Sequence, residues 1–210
     1  ATSRAGQPSF LIADVANTQI GGSLEQYLFV GFFIAFAVKA PMVPVHSWLP
    51  DAAEQATPGA TTLLVGVLDK IGTFGMIRLC LQMFPNASAW ATPLVIVLAA
   101  VSVIYGALMA ISSRNLLRLV AYTSVSHFGF MVLGIFAFTS ASLTGSIFYM
   151  LAHGFSSAAM FLVVGFLLYR RGSAEIAAFG GVEKVAPVLA GVFLVSGLAT
   201  LGLPGTANFV

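Results

Sequence analysis

Val38-Lys39-Ala40-Pro41-Met42-Val43-Pro44-Val45-His46-Ser47-Trp48-Leu49-Pro50 sets a lysine inside an apolar run and follows it with three prolines. The run from Gln26 to Leu49 is long enough to cross a bilayer, which takes about 20 residues. A charged side chain at mid-bilayer costs roughly 2.5–3.5 kcal/mol on insertion scales, so such residues tend to be functional. Pro41 and Pro44 lack the amide hydrogens a helix uses at those positions, so the carbonyls of Ala37 and Ala40 lose their ordinary partners. In lipid, freed backbone groups must be satisfied by neighbouring helices, polar side chains or water. A lysine beside a broken helix at mid-membrane is what an ion or proton path requires. The plainer alternative is a kinked helix whose lysine stretches to the interface.

The rest of the chain extends this reading. Of its 210 residues, 59% are hydrophobic and 8% are charged, against about 25% charged in an ordinary soluble domain. The implied fold class is all-α: a polytopic transmembrane helix bundle with discontinuous helices. Apolar spans fall at 26–49, 60–83, 92–112, 116–139, 142–169 and 187–210, after a polar segment, 1–25, read as an extracytoplasmic loop with room for a short helix. Asp51 to Gly59 reads as a turn whose Asp51 and Glu54 cap the next helix. Further loops are expected at 84–91, 112–115 and 172–186. The chain lacks an initiator methionine and a signal peptide, and it stops within an unfinished span, so it reads as an internal piece of a longer protein.

If the spans alternate in direction, Arg114, Arg118, Arg170, Arg171 and Lys184 share one side, leaving Arg78 on the other. Basic residues gather on the cytoplasmic side, so the 26–49 span is expected to end in the cytoplasm and the 84–91 loop to face outward. His46 and Trp48 then suit the headgroup region. The Gly202-Leu203-Pro204-Gly205 break in the last span echoes the break at Pro41 and Pro44. Paired interrupted helices in two halves of a chain point to a transport site near mid-membrane. The net charge of +2 is dispersed and gives no footing for nucleic acid. Cys80, the single cysteine, forms no intrachain disulfide. No phosphate loop, dinucleotide fingerprint, paired-cysteine or nucleophile motif is present, so neither a cofactor nor a metal is expected in this chain.

Four ionisable residues lie near the centres of their spans: Lys39, Lys70, His127 and His153. One buried histidine is ordinarily a satisfied packing residue. Four such groups together carry an insertion cost approaching roughly 10 kcal/mol, which favours a shared function. Tyr122, Thr123, Ser126 and His127 fall on one side of a helix, and Ser146, Tyr149, His153, Ser156 and Ser157 form a similar stripe. Hydroxyls beside buried histidines hold water and pass protons; equally, small polar residues let helices pack closely. Lys70 shares a face with Gly66 and Thr73, while Asp69 lies about 100° around the helix. Lysines whose charge responds to a nearby carboxylate move protons without a redox cofactor.

From Lys39 to Asp51 the sequence resembles the antiporter-like membrane subunits of respiratory complex I, the bacterial NADH-quinone oxidoreductase. The resemblance runs on through Leu119-Val-Ala-Tyr-Thr-Ser-Val-Ser-His-Phe-Gly-Phe130, Ala152-His153-Gly154 and Thr200-Leu-Gly-Leu-Pro-Gly-Thr-Ala-Asn-Phe209, and covers residues 25–210. Within the family it is nearest to the subunit M branch, counterpart of mitochondrial NADH dehydrogenase subunit four, in an actinobacterial-looking form. The resemblance implies a longer chain, represented here by its seventh to twelfth helices. It implies Lys39 as the proton-switching lysine of the broken seventh helix and Lys70 as the lysine of the eighth. His127 and His153 then link two half-channels. Asp69, Tyr122, Ser126 and Tyr149 are tuning candidates, and Pro41, Pro44 and Pro204 mark the helix breaks. The family's paired glutamate would precede Ala1, and its twelfth-helix ionisable group would follow Val210.

The resemblance further implies a bacterial plasma (inner) membrane location, other complex I membrane subunits, lipid, protons and water as partners, and NADH, FMN, iron-sulfur clusters and quinone in partner subunits. The implied activity is proton translocation driven by redox chemistry elsewhere, as a non-redox subunit of a translocase. A multi-subunit sodium/proton antiporter is the alternative, and a structural membrane spacer with paired charges is a third reading. Relatives usually have histidine at Ala53, Ala-Pro-Thr at Ala56-Thr57-Pro58, and an apolar residue at Asp69. The extra carboxylate either restrains proton release from Lys70 or partners Lys39.

Overall fold

Helix α1 (Ser23–Lys39) is apolar nearly all round and stops where Pro41 removes the next helical donor. The structure, a computed structural model, describes Ile12 and residues 20–209, so most of the expected 1–25 loop lies outside the described residues. The chain then turns through residues 40–47 and resumes helix as α2 (Trp48–Gln55). The Ala37 carbonyl is not left orphaned by Pro41: the Met42 amide donates to it at 3.1 Å. The Val43 amide donates to Ser102 Oγ at 2.9 Å, tying the break to a neighbouring helix.

The expected 60–83 span is an almost unbroken rod, with α3 (Pro58–Leu63), a π-helical turn Leu64–Leu68, α4 (Lys70–Gly75) and a second π turn Met76–Leu81. Thr57 caps its start, its hydroxyl accepting from the Ala60 amide, and Pro58 takes the first helical position. Next come α5 (Pro85–Ser112), α6 (Leu116–Phe136) and α7 (Ser140–Arg171). These three are long and apolar enough to cross a membrane. Asn115 caps α6 through its side-chain oxygen, a Thr139/Ser142 capping box opens α7, and Gly172 in the left-handed conformation ends it. After a short helix, α8 (Val182–Val185), α9 (Pro187–Thr200) gives way to a tight turn and a 3-10 turn, Ala207–Phe209.

Several expectations need correction. Residues 51–55 are helical rather than a turn, because Trp48 to Gln55 is a good helix-forming stretch once Pro50 sits in its first turn. Asp51 and Glu54 do not cap the next helix. They accept hydrogen bonds from Arg118 at 2.6 and 2.9 Å, so Arg118 ties α2 to α6 rather than only setting orientation. Residues 85–91 are the start of α5, not a loop. Glu25 is not on a surface loop: it is 5% exposed, and its carboxylate accepts from the Asn86 and Ala87 amides at 3.0 and 3.1 Å. An anionic group there satisfies orphan donors and complements the helix dipole. His46 does not face outward. His46 is buried edge-on against Tyr105, and the Trp48 indole donates to the Val38 carbonyl at 2.9 Å.

The most enclosed helix is α6, packed between α5 and α7. Glycines permit close approach where it matters: a Cβ on Gly72 would lie 2.5 Å from the Ala40 amide nitrogen and 2.8 Å from the Phe36 carbonyl oxygen. The rod and α1 therefore meet backbone to backbone beside Lys39, a crossing that only a residue without a side chain allows. At one end of the bundle, the Leu116 amide donates to Ala174 and the Ile176 amide to Arg114, both at 2.9 Å. This joins the 112–115 turn to the loop after α7 and gathers Arg114, Arg118, Arg170 and Arg171 at that end.

Gly72→Val should separate α1 from the rod and sharply lower the amount of folded protein recovered from membranes. Gly145→Ala, where an added Cβ meets nothing within 4 Å, should change recovery little. Detergent-extracted yield and thermal unfolding of the two variants check this.

Candidate functional site

Lys39 is the last residue of α1, and its ammonium lies 3.2 Å from Asp69 Oδ1. The Trp48 ring covers it, with Nζ 5.7 Å from the ring centroid. Asp69 is fully enclosed, and neither of its oxygens accepts a hydrogen bond from a described residue. Lys39 remains 35% exposed at its side chain. The π turn Leu64–Leu68 precedes Asp69 and Lys70 directly, and single π turns often sit at functional sites. Asp69 meets α1 while Lys70, its chain neighbour, meets α7.

Lys70 Nζ donates to the Val65 carbonyl at 2.5 Å and lies 2.8 Å from His153 Nδ1. Its third side faces the Phe128 ring, 5.2 Å from the centroid. An ammonium has only donors. When Lys70 is charged, His153 Nδ1 must therefore be an acceptor, with the imidazole proton on Nε2. When the proton has moved to His153, the same contact reads in reverse. One proton can thus reside at either end of this contact.

His153 is fully buried, and its Nε2 has no hydrogen-bond partner among the described residues. The His127 ring stands 5.0 Å from it, centroid to centroid. His127 Nδ1 in turn lies 2.5 Å from the Tyr149 hydroxyl. Beyond them opens a cleft of about 480 Å³, lined by His127, Tyr149, Ser142, Ser146, Gly202 and Asn208. The structure thus brings Lys39 to Asp69 and, on another side of the rod, sets Lys70, His153, His127 and Tyr149 in a line that ends in this cleft. Among the described residues no group of three or more His, Cys, Asp or Glu side chains is placed to hold a metal ion.

Other candidates lie elsewhere. Tyr122 is beside Arg118 and Tyr105, away from His127. The Ser126 hydroxyl donates to the Val103 carbonyl and serves the α5–α6 contact; a Cβ on Gly106 would stand 2.6 Å from the Ser126 amide nitrogen. Thr123 bonds within its own helix, and Ser146 donates to the Met131 carbonyl across to α6. Ser156 and Ser157 donate to the His153 carbonyl, not to its ring. Thr73 donates to the Lys70 carbonyl and reaches Met150 Sδ. Pro41 and Pro44 lie in the first break, and Pro204 lies in the second between Gly202 and Gly205, both at positive φ.

Sequence reasoning missed Asn208 and the Val65 carbonyl. Asn208 is 8% exposed, and its amide donates to Ser156 Oγ at 2.9 Å, docking the second break onto α7 near His153. The polar Thr206-Ala207-Asn208 run after a helix-breaking Gly-Leu-Pro-Gly was its available signal.

Residues 8–210 match a family model described as NADH:quinone oxidoreductase/Mrp antiporter, transmembrane. The chain belongs to the NADH:quinone oxidoreductase/Mrp antiporter membrane family. It is 53% identical over 202 residues to NADH-quinone oxidoreductase subunit M of Mycobacterium tuberculosis, covering 95% of this chain and 36% of that relative. To the Pseudomonas aeruginosa subunit M it is 43% identical, covering 98% of this chain and 40% of the relative. A chain of respiratory complex I from Thermus thermophilus superimposes with a TM-score of 0.92 at 34% identity, covering 98% of this chain and 44% of that one. A chain of the Mrp complex from Dietzia sp. DQ12-45-1b gives 0.86 at 26% identity, covering 97% and 38%. The chain thus spans about two fifths of the length of these relatives. Its membership makes it a multi-pass membrane protein with an antiporter-like fold, and the paired helix breaks are part of that fold.

A cysteine introduced at Ser142, on the cleft, should react with a water-soluble maleimide. One at Val164, fully buried in the bundle, should not, and native Cys80 is buried as well. Mass shift after labelling of intact membranes checks the pair.

Proposed function

We propose that this chain is the central part of a proton-translocating membrane subunit of a bacterial NADH-quinone oxidoreductase, housed in the plasma membrane with the other membrane subunits of that complex. The observation that carries the reading is the Lys70–His153 contact of 2.8 Å, continued by His127 and Tyr149 into the cleft. In this reading the chain holds no cofactor: NADH, FMN, iron-sulfur clusters and quinone belong to partner subunits, whose redox chemistry supplies the energy.

The geometry supports a stepwise transfer. An N–H bond on Lys70 breaks as one forms at His153 Nδ1, and the amine is left neutral. His153 then releases its Nε2 proton toward the neighbouring His127 ring. His127 hands a proton to water in the cleft, with the Tyr149 hydroxyl fixing the ring. These steps leave Lys70 as a neutral amine and His153 with its proton on Nδ1, so the cycle closes when an incoming proton recharges Lys70 and the His153 ring turns to present its unprotonated nitrogen again. A sequence of one-proton moves keeps the travelling positive charge against a polar neighbour at each stage.

A sodium/proton exchanger subunit is the second reading, favoured by the likeness to the Mrp complex at a TM-score of 0.86. The two are separated by what drives transport.

In inside-out vesicles carrying the full-length subunit within its assembly, Lys70→Ala and His153→Ala should each slow NADH-driven proton uptake by about 10²-fold or more, the lower end of the range for a positioned proton-transfer group. Uptake driven by a sodium gradient and indifferent to NADH would favour the exchanger. Parental uptake in a Lys39/Lys70/His127 triple neutral variant would leave only a spacer.

A further inference from the structure

Asp69 and Lys70 are consecutive residues whose side chains leave the rod on different sides, one to Lys39 on α1 and the other to His153 on α7. No hydrogen bond or ion pair between described residues joins Lys39 to the Lys70 group directly. The path from the first helix break to the histidines therefore crosses the rod at this dipeptide. Asp69 is fully enclosed, and its only partner among the described residues is the Lys39 ammonium at 3.2 Å. A carboxylate held there without hydrogen bonds persists only through a nearby positive charge.

We propose that Asp69 is the shared counter-ion of Lys39 and Lys70, the group through which the two lysines sense each other's charge. The proposal rests on the proton-path reading above and adds a positioning residue to it. Asp69 carries one negative charge and neighbours two ammonium groups. With Lys39 charged, the Lys39–Asp69 pair is neutral, and a charge on Lys70 leans on the neutral Val65 carbonyl and His153 ring alone. If Lys39 loses its proton or swings away, the same carboxylate is released to offset Lys70. The least costly states of the trio hold one ammonium against one carboxylate, so a proton leaving one lysine favours a proton on the other. Low internal dielectric makes such one-for-one compensation strong. The Trp48 ring over Lys39, anchored by its bond to the Val38 carbonyl, holds the ammonium toward Asp69.

The test uses the complete assembly in inside-out vesicles and compares NADH-driven proton uptake in the parent and in a Lys39→Met background. Asp69→Asn should slow uptake about fivefold in the parent, yet cause no further loss once Lys39 is gone, because interacting residues are non-additive. Asp69→Glu should restore at least half of the parental rate, which a residue needed only for its shape would not. If Asp69→Asn fails to assemble, the double variant Lys39→Met/Asp69→Leu should assemble, since it removes both charges. Parental uptake in Asp69→Asn, equal losses in both backgrounds, no rescue by glutamate, or failure of the double variant to assemble would each overturn the proposal. Undiminished uptake in Lys39→Met alone would instead overturn the proton-path reading on which it rests.

Discussion

An ammonium group in hydrocarbon must find partners, and the placement of Lys70 is the constraint around which this bundle is arranged. Its hydrogen bonds go to a backbone carbonyl and an imidazole, with an aromatic face beside it and no carboxylate bonded to it among the described residues. Each partner comes from a different structural device. The carbonyl is offered by Val65 within a π turn, the imidazole by α7, and the ring by α6. The serines around His153 hold its backbone rather than its ring, so the imidazole nitrogens stay free for proton exchange.

Irregular backbone performs the rest of the positioning. In lipid a broken helix survives only where its freed groups are answered. Here Met42 answers Ala37, Ser102 answers Val43, and Asn208 pins the second break to α7. Glu25 does the same for the start of α5 and so locks α1 to it at the end away from Lys39. The crossing at Gly72 then sets how far Lys39 stands from Asp69. The ion pair on one side of the rod and the imidazole line on another are thus consequences of two helix crossings.

Much of this was legible in the residues, and the parts that were not share a cause. The helical bundle, the two breaks and the family followed from apolar composition, proline placement and long motifs around Lys39, His127 and His153, all of which are local. Which hydroxyl meets which group is not local. Tyr122, Ser126 and His127 read as one face, but α5 claims Ser126, Arg118 claims Tyr122, and only Tyr149 reaches His127. Asp51 and Glu54 looked like helix caps because their sequence neighbourhood fits that role, while the decisive partner, Arg118, lies far along the chain. The π turns carry no sequence signature that periodicity detects, since the turn of about 100° that one inserted residue imposes leaves no visible break where most faces of the helix are apolar.

The most direct measurement is an electron cryo-microscopy map of the intact assembly at a resolution that shows ordered water. The account predicts Lys70 directed at His153, with waters linking His153, His127 and the cleft beside Tyr149 by steps of no more than about 3.5 Å. Lys70 directed into lipid, or a dry apolar plug between the two histidines, would contradict it.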